Sequence, residues 1–129
     1  MDRTEVIYLD THVLIYLAAG DVNKLGVAAR NAIDRQDVLA SAAAVLELQF
    51  LHEIGRLKPT AAKLVSALAG DIGLRVCDLP FRTVVDQAVA EGWTHDPFDR
   101  LIVANAKAAG APLVTKDERI RSNYSRALW

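Results

Sequence analysis

Short apolar runs, each closed by an acid or a polar residue, alternate along this chain with stretches in which apolar residues recur every three or four positions. Val6-Ile7-Tyr8-Leu9 is rich in strand formers and predicts a buried strand ending at Asp10. A short helix is expected from Leu14 to Ala19, stopped near Gly20, and a second from Lys24 to Asp34. Val38-Leu39-Ala40 reads as a strand, after which Ser41 is placed to cap a helix running from Ala42 to Ile54 and closed by Gly55. Pro59 lies near the start of another helix reaching about Ala69, and Leu74 to Cys77 is a third strand. Pro80 starts a helix to Ala90, and Asp96-Pro97 opens one that ends before Gly110. Leu113-Val114-Thr115 is a fourth strand, Asp117 begins a last short helix, and a tail runs to Trp129. Strands alternating with helices imply a parallel sheet covered on both faces. No repeat, low-complexity segment or linker breaks the alternation, so residues 1–129 are expected to form one domain around one core.

Composition adds limits. Apolar residues make up 52% of the chain and charged residues 24%, an ordinary globular balance. The net charge of −1 does not advertise a nucleic-acid binder, although a local basic bias exists where Lys116, Arg119, Arg121 and Arg126 stand against Asp117 and Glu118. The single cysteine, Cys77, sits in an apolar run and reads as a buried, inert thiol. There is no Cys/His metal motif. Asp2, Arg3 and Glu5 lead straight into a strand, which does not resemble a signal peptide, and no apolar run is long enough to span a membrane. A cytoplasmic protein is expected.

Four acids stand out by position. Glu47 falls among Ala43, Phe50, Leu51 and Ile54 at helical spacing, so it projects from the middle of an apolar stripe. Asp99 shares a face with Ile102, Val103 and Ala106, but it also suits the first turn of a helix capped by Asp96. Asp10 and Asp117 follow strands and can each cap the next helix. Two carboxylates at strand ends, where sites form in such sheets, and two on helix faces that pack on the sheet can meet at one edge. Such a cluster must take up protons, pair with bases or bind a cation. Oxygen-only ligation selects Mg²⁺ or Mn²⁺. Thr11 and Thr115 flank the acids and can hold a water or a phosphate oxygen, or serve as turn hydroxyls. Arg100 and Lys116 adjoin the acids and can hold a phosphate or balance charge. His12 is a candidate base with nothing to turn its ring inward. His52 and His95 suit the surface, and Trp93 suits either base stacking or a core anchor.

The segments YLDTHVLIYL, SAAAVLELQFLHEIGRL, HDPFDRLIVANA and PLVTKDERI, in that order, resemble the PIN-domain ribonucleases and, within them, VapC-type toxins of type II toxin–antitoxin pairs. The HDPFDRLIVANA segment is the most specific of these. The resemblance implies a three-layer α/β/α domain with a small parallel sheet of four to five strands. It also implies an Mg²⁺- or Mn²⁺-dependent endoribonuclease. Carried over, Asp10 and Asp99 are the main metal ligands, Glu47 and Asp117 the remaining catalytic acids, and Asp96 an additional acid. A homodimer and a cognate antitoxin that blocks the site are further expectations. A receiver-like phospho-acceptor domain is the alternative, because it too places acids and Mg²⁺ at strand ends. It would want an acidic pair after the first strand, where Thr11 and His12 follow Asp10, and Cys77-Asp78 gives only a weak acceptor. A haloacid-dehalogenase-like phosphatase would need an acid at position 12, and a non-catalytic binding module would use the acids only as caps and salt bridges.

Overall fold

Three consecutive buried side chains, Ile7, Tyr8 and Leu9, show that strand β1 (Val6–Leu9) is covered on both faces, as a central parallel strand must be. In the computed structural model, which describes residues 5–129, β1 pairs on one side with β2 (Asp37–Ala40), Ile7 opposite Val38. On the other side it pairs with β4 (Leu113–Val114), Leu9 opposite Val114. Strand β3 (Arg75–Val76) extends the sheet beyond β2, and β5 (Ala127–Leu128) extends it beyond β4. The order is β3-β2-β1-β4-β5, all parallel. Asp2 and Arg3, which the sequence reading set against a leader, lie outside the described residues.

The chain moves outward from β1 through β2 to β3 and then returns to place β4 beside β1. The reversal leaves a crevice at the carboxyl ends of β1 and β4, the position at which open parallel sheets build sites. Asp10 follows one of these strands and Thr115-Lys116-Asp117 follows the other. The receiver-like alternative fares poorly here. That fold would put β1 between β2 and β3, and Asp78 lies after edge strand β3, away from the crevice.

The helices are α1 (Thr11–Ala18), α2 (Val27–Arg35), α3 (Ala42–Glu53), α4 (Ala61–Ile72), α5 (Phe81–Val89), α6 (Pro97–Ala109) and α7 (Glu118–Asn123), with a short 3-10 turn at Val22–Lys24. Helix α1 starts earlier than the apolar pattern predicts because Asp10 caps it, its carboxylate accepting from the Thr11 amide. Helix α4 starts behind Thr60, whose hydroxyl accepts from Lys63 N, and runs on to Gly73, which takes the left-handed conformation (φ 71°) that a side chain resists. The fifth strand was invisible to periodicity. It has two residues and is defined by its neighbours, with Leu113 N donating to Arg126 O at 3.2 Å and Thr115 N to Leu128 O at 3.0 Å.

Helix α3 corrects the expected apolar face. Its buried residues are Ala44 and Leu48, while Leu46, Phe50 and Ile54 are exposed. The segment is apolar almost all round, so periodicity alone could not choose which side meets the sheet. Glu47 therefore sits on the flank of the buried stripe, half-buried, rather than in its middle. Cys77 is half-buried rather than fully buried, and its sulfur accepts from the Tyr8 hydroxyl and the Asn105 side chain. Among the described residues no helix is long and apolar enough to cross a membrane.

Candidate active site

The crevice at the ends of β1 and β4 opens into a cavity of about 370 Å³ lined by Asp10, His12, Tyr16, Glu47, Asp96, Asp99, Lys116 and Asp117. All five acids singled out in the sequence thus meet on one cavity wall. They are delivered by local structure. Asp10, Asp96 and Asp117 cap α1, α6 and α7, so three helix N-termini converge there and their positive ends favour the negative charge. Capping and lining are not alternatives. Asp96 Oδ1 accepts from Phe98 N at 2.9 Å and Asp99 N at 3.1 Å, and Asp117 Oδ1 accepts from Ile120 N at 3.0 Å. In both side chains the second oxygen has no hydrogen bond among the described residues.

Asp10 lies deepest. Its Oδ2 accepts from the Thr115 hydroxyl at 2.6 Å and its Oδ1 from the Thr11 amide at 2.8 Å. Burial raises its pKa, the two donors oppose that rise, and Asp117 adds to it. Glu47 Oε1 accepts from the Thr11 hydroxyl at 2.6 Å, and burial followed by the charges of Asp10 and Asp96 raises its pKa. His12 opposes the rise in both acids, so its ring stands nearer the site than the sequence could establish. Asp99 differs from the rest. Its carboxylate has no hydrogen-bond partner among the described residues. Burial, then the charges of Asp96, Asp10, Asp117 and Glu47, push it up to about 7.

Other candidates are placed differently from expectation. Thr11 and Thr115 are fully buried beneath the acids and aim their hydroxyls at Glu47 and Asp10, not into the cavity. Arg100 turns away, its guanidinium donating to Ala88 O and Val89 O at the end of α5. The C-terminal basic bias does not gather into one patch, since Arg119 is tied to Trp93 O and Arg126 to Gly110 O. Trp93 is an anchor, packed against the core with its indole N–H donating to Glu91. His95 is exposed, and His52 is held at Leu57 O and Lys58 O. Tyr16 lines the cavity and was missed, because at helical spacing it reads as one more apolar position of α1.

The chain matches the PIN domain family over residues 7–125. It is 36% identical over 120 residues to Ribonuclease VapC22 of Mycobacterium tuberculosis (strain ATCC 25618 / H37Rv), covering 91% of each chain. Among solved structures it resembles a toxin–antitoxin complex from Klebsiella pneumoniae, with a TM-score of 0.65 at 15% identity, covering 95% of this chain and 96% of that one. It also resembles VapBC2 from Rickettsia felis bound to a DNA fragment from their promoter, with a TM-score of 0.61 at 19% identity, covering 91% and 92%. At such identities the two structures speak for the fold, while the family match and the 36% relative carry the assignment: the chain belongs to the PIN-domain family, with the VapC-type ribonucleases.

Proposed function

We propose that this chain is an endoribonuclease dependent on Mg²⁺ or Mn²⁺, that residues 1–129 are a single nuclease domain, and that it acts as the toxin of a toxin–antitoxin pair. The observation that carries the metal dependence is Asp99, a half-buried carboxylate without a hydrogen-bond donor among the described residues and ringed by four other acids. A site of that kind needs a proton or a cation to hold it together. The donor set fits a hard ion, since Asp10, Asp99, Glu47, Asp96 and Asp117 offer only carboxylate oxygens. Among the described residues no three such side chains stand close enough together to hold a metal ion.

In this reading Asp10 and Asp99 are the main ligands, with Glu47, Asp96 and Asp117 completing the set. The ion would supply acidification of water near neutral pH and charge neutralisation on the phosphoryl oxygens. The chain contributes the rest. Thr115 and Thr11 fix the carboxylates of Asp10 and Glu47 in single orientations. Glu47 Oε2 has no hydrogen bond among the described residues and is available to take a proton from the attacking water. The new bond joins water oxygen to phosphorus while the bond to the leaving 3′ oxygen breaks. Lys116 stands at the wall, where it can meet backbone phosphate charge beside the bond being cleaved.

The description of the Klebsiella structure as a toxin–antitoxin complex supports extending to this chain a cognate antitoxin, with a homodimer as a further part of the proposal. So does an exposed apolar surface on α3, where Leu46, Phe50 and Ile54 are uncovered and the Phe50 ring meets Phe98 at 6.1 Å. The test is cleavage of RNA in Mn²⁺ by purified protein. Asp10→Ala and Asp99→Ala should each lose about 100-fold or more of the activity with an unchanged circular dichroism spectrum, and EDTA should silence the wild type. Undiminished cleavage by both variants would overturn the proposal.

A further inference from the structure

Among the described residues Lys116 is the only lysine or arginine on the cavity wall. Five carboxylates line the same cavity, so collapse of its ammonium onto one of them is the expected outcome. It does not occur. Lys116 makes no ion pair or hydrogen bond with any described residue, and its Nζ lies over the Tyr16 ring, 6.0 Å from the centroid. The same ring carries a second ammonium, that of Lys24, 5.3 Å from its centroid. Lys24 belongs to the 3-10 turn after α1, outside the cavity, and makes an exposed pair with Asp21 at 3.5 Å. Lys116 and Tyr16 thus both line the cavity, and Lys24 meets the same ring from a turn that does not.

A metal-bearing acidic cavity balances the charge of the phosphate being cleaved, but the flanking phosphates of the strand still face the acids. They need cations that the acids have not already neutralised. We propose that Lys116, Tyr16 and Lys24 form the track by which the RNA strand leaves the cavity. Lys116 meets the phosphate next to the scissile one and Lys24 the phosphate beyond it. Tyr16 is a positioning residue whose electron-rich face holds the Lys116 ammonium off the cavity carboxylates, while Lys24 is steadied by its exposed pair with Asp21. This track rests on the nuclease reading above, and its test separates the two.

The experiment measures cleavage of a short single-stranded RNA in Mn²⁺ across a range of NaCl concentrations. Lys116→Ala should raise KM about 10-fold with kcat little changed, and should reduce the salt slope of log(kcat/KM) by about 0.7, the loss of one phosphate contact on a single strand. Lys116→Arg should restore both. Lys24→Ala should lower the slope similarly with a smaller rise in KM. Tyr16→Phe, which keeps the ring, should match the wild type. Tyr16→Leu should reproduce the Lys116→Ala defect, and the double variant Tyr16→Leu/Lys116→Ala should be no worse than Lys116→Ala alone. Lys63→Ala, on the exposed side of α4, is the control and should change nothing. An unaltered KM and salt slope in Lys116→Ala overturns the track, as do independent, multiplying effects of Tyr16 and Lys116. Lys116 is exposed, so its variants read out even where Tyr16→Leu folds poorly. If Asp99→Asn is inactive and Lys116→Ala is normal, the track alone falls. If Asp99→Asn cleaves as well as wild type, or the wild type cleaves no RNA, the nuclease reading falls and the track with it.

Discussion

Thr115 uses its hydroxyl twice, donating to Asp10 Oδ2 at 2.6 Å and accepting from the Asp117 amide at 3.1 Å. One side chain thus sets the orientation of the deepest acid and the approach of another. Thr115→Val keeps the shape but leaves a buried carboxylate oxygen without its donor, a loss of about 1–3 kcal/mol. Urea denaturation should show that loss, RNA cleavage should fall with it, and Thr115→Ser should recover both. Wild-type stability in the valine variant would remove Thr115 from this role. The residue type was legible in the sequence as a hydroxyl beside a strand-end acid, but its direction was not, because its partner lies 105 positions away. Arg100 shows the same limit. Adjacency to Asp99 suggested a phosphate contact, whereas the helix turns successive side chains about 100° apart and sends the guanidinium to α5.

Between elements, one tie is an ion pair that no local pattern announced. Glu91, at the end of α5, is 2% exposed and meets Lys107 of α6 at 3.0 Å. It also accepts from Trp93 Nε1 at 2.7 Å and Gln87 Nε2 at 3.0 Å. Burial raises its pKa, but Trp93, Lys107 and Gln87 outweigh burial and the net shift is downward. Its folded pKa is below the unfolded one, so its stabilisation is present above the usual glutamate range and lost as pH falls through the folded value. Glu91→Ala, which strands the Lys107 charge, should cost about 3–5 kcal/mol, and Glu91→Leu/Lys107→Met should recover most of it. Thermal melts of both variants and the wild type decide the matter; a double variant no better than the single assigns the cost to shape instead. The sequence was most informative where a capping or breaking residue marks a boundary. Ser41, Asp96-Pro97 and Gly110 mark boundaries that the structure keeps. It was least informative where partners are distant. The buried face of α3 and the pairing of the tail with β4 depend on what the sheet offers, so Glu47 was singled out through a stripe that turned out to be solvent-facing in part.

Across the whole molecule, a net charge of −1 conceals segregation, with five acids facing one cavity at the point where the sheet reverses direction. In EDTA this arrangement opposes folding once the acids ionise. Asp99 is the clearest case, with a folded pKa of about 7 against an ordinary value of 3.8. The folded state then holds the extra proton between these values, so stability falls as pH rises through that window. Melting temperatures in EDTA should therefore decline from about pH 5 to pH 8, and Asp99→Asn should flatten the decline. A slope identical in Asp99→Asn and wild type would place the repulsion elsewhere. The same reversal of the sheet gives the two-residue strand β5 a longer reach than its size suggests. Its Leu128 carbonyl accepts the Thr115 amide, one peptide plane from the hydroxyl that orients Asp10. An edge strand this short opens by local unfolding far more often than the core does. Each such opening releases the Thr115 amide to solvent, so its rate of deuterium uptake is a clock for how often the floor of the cavity comes apart.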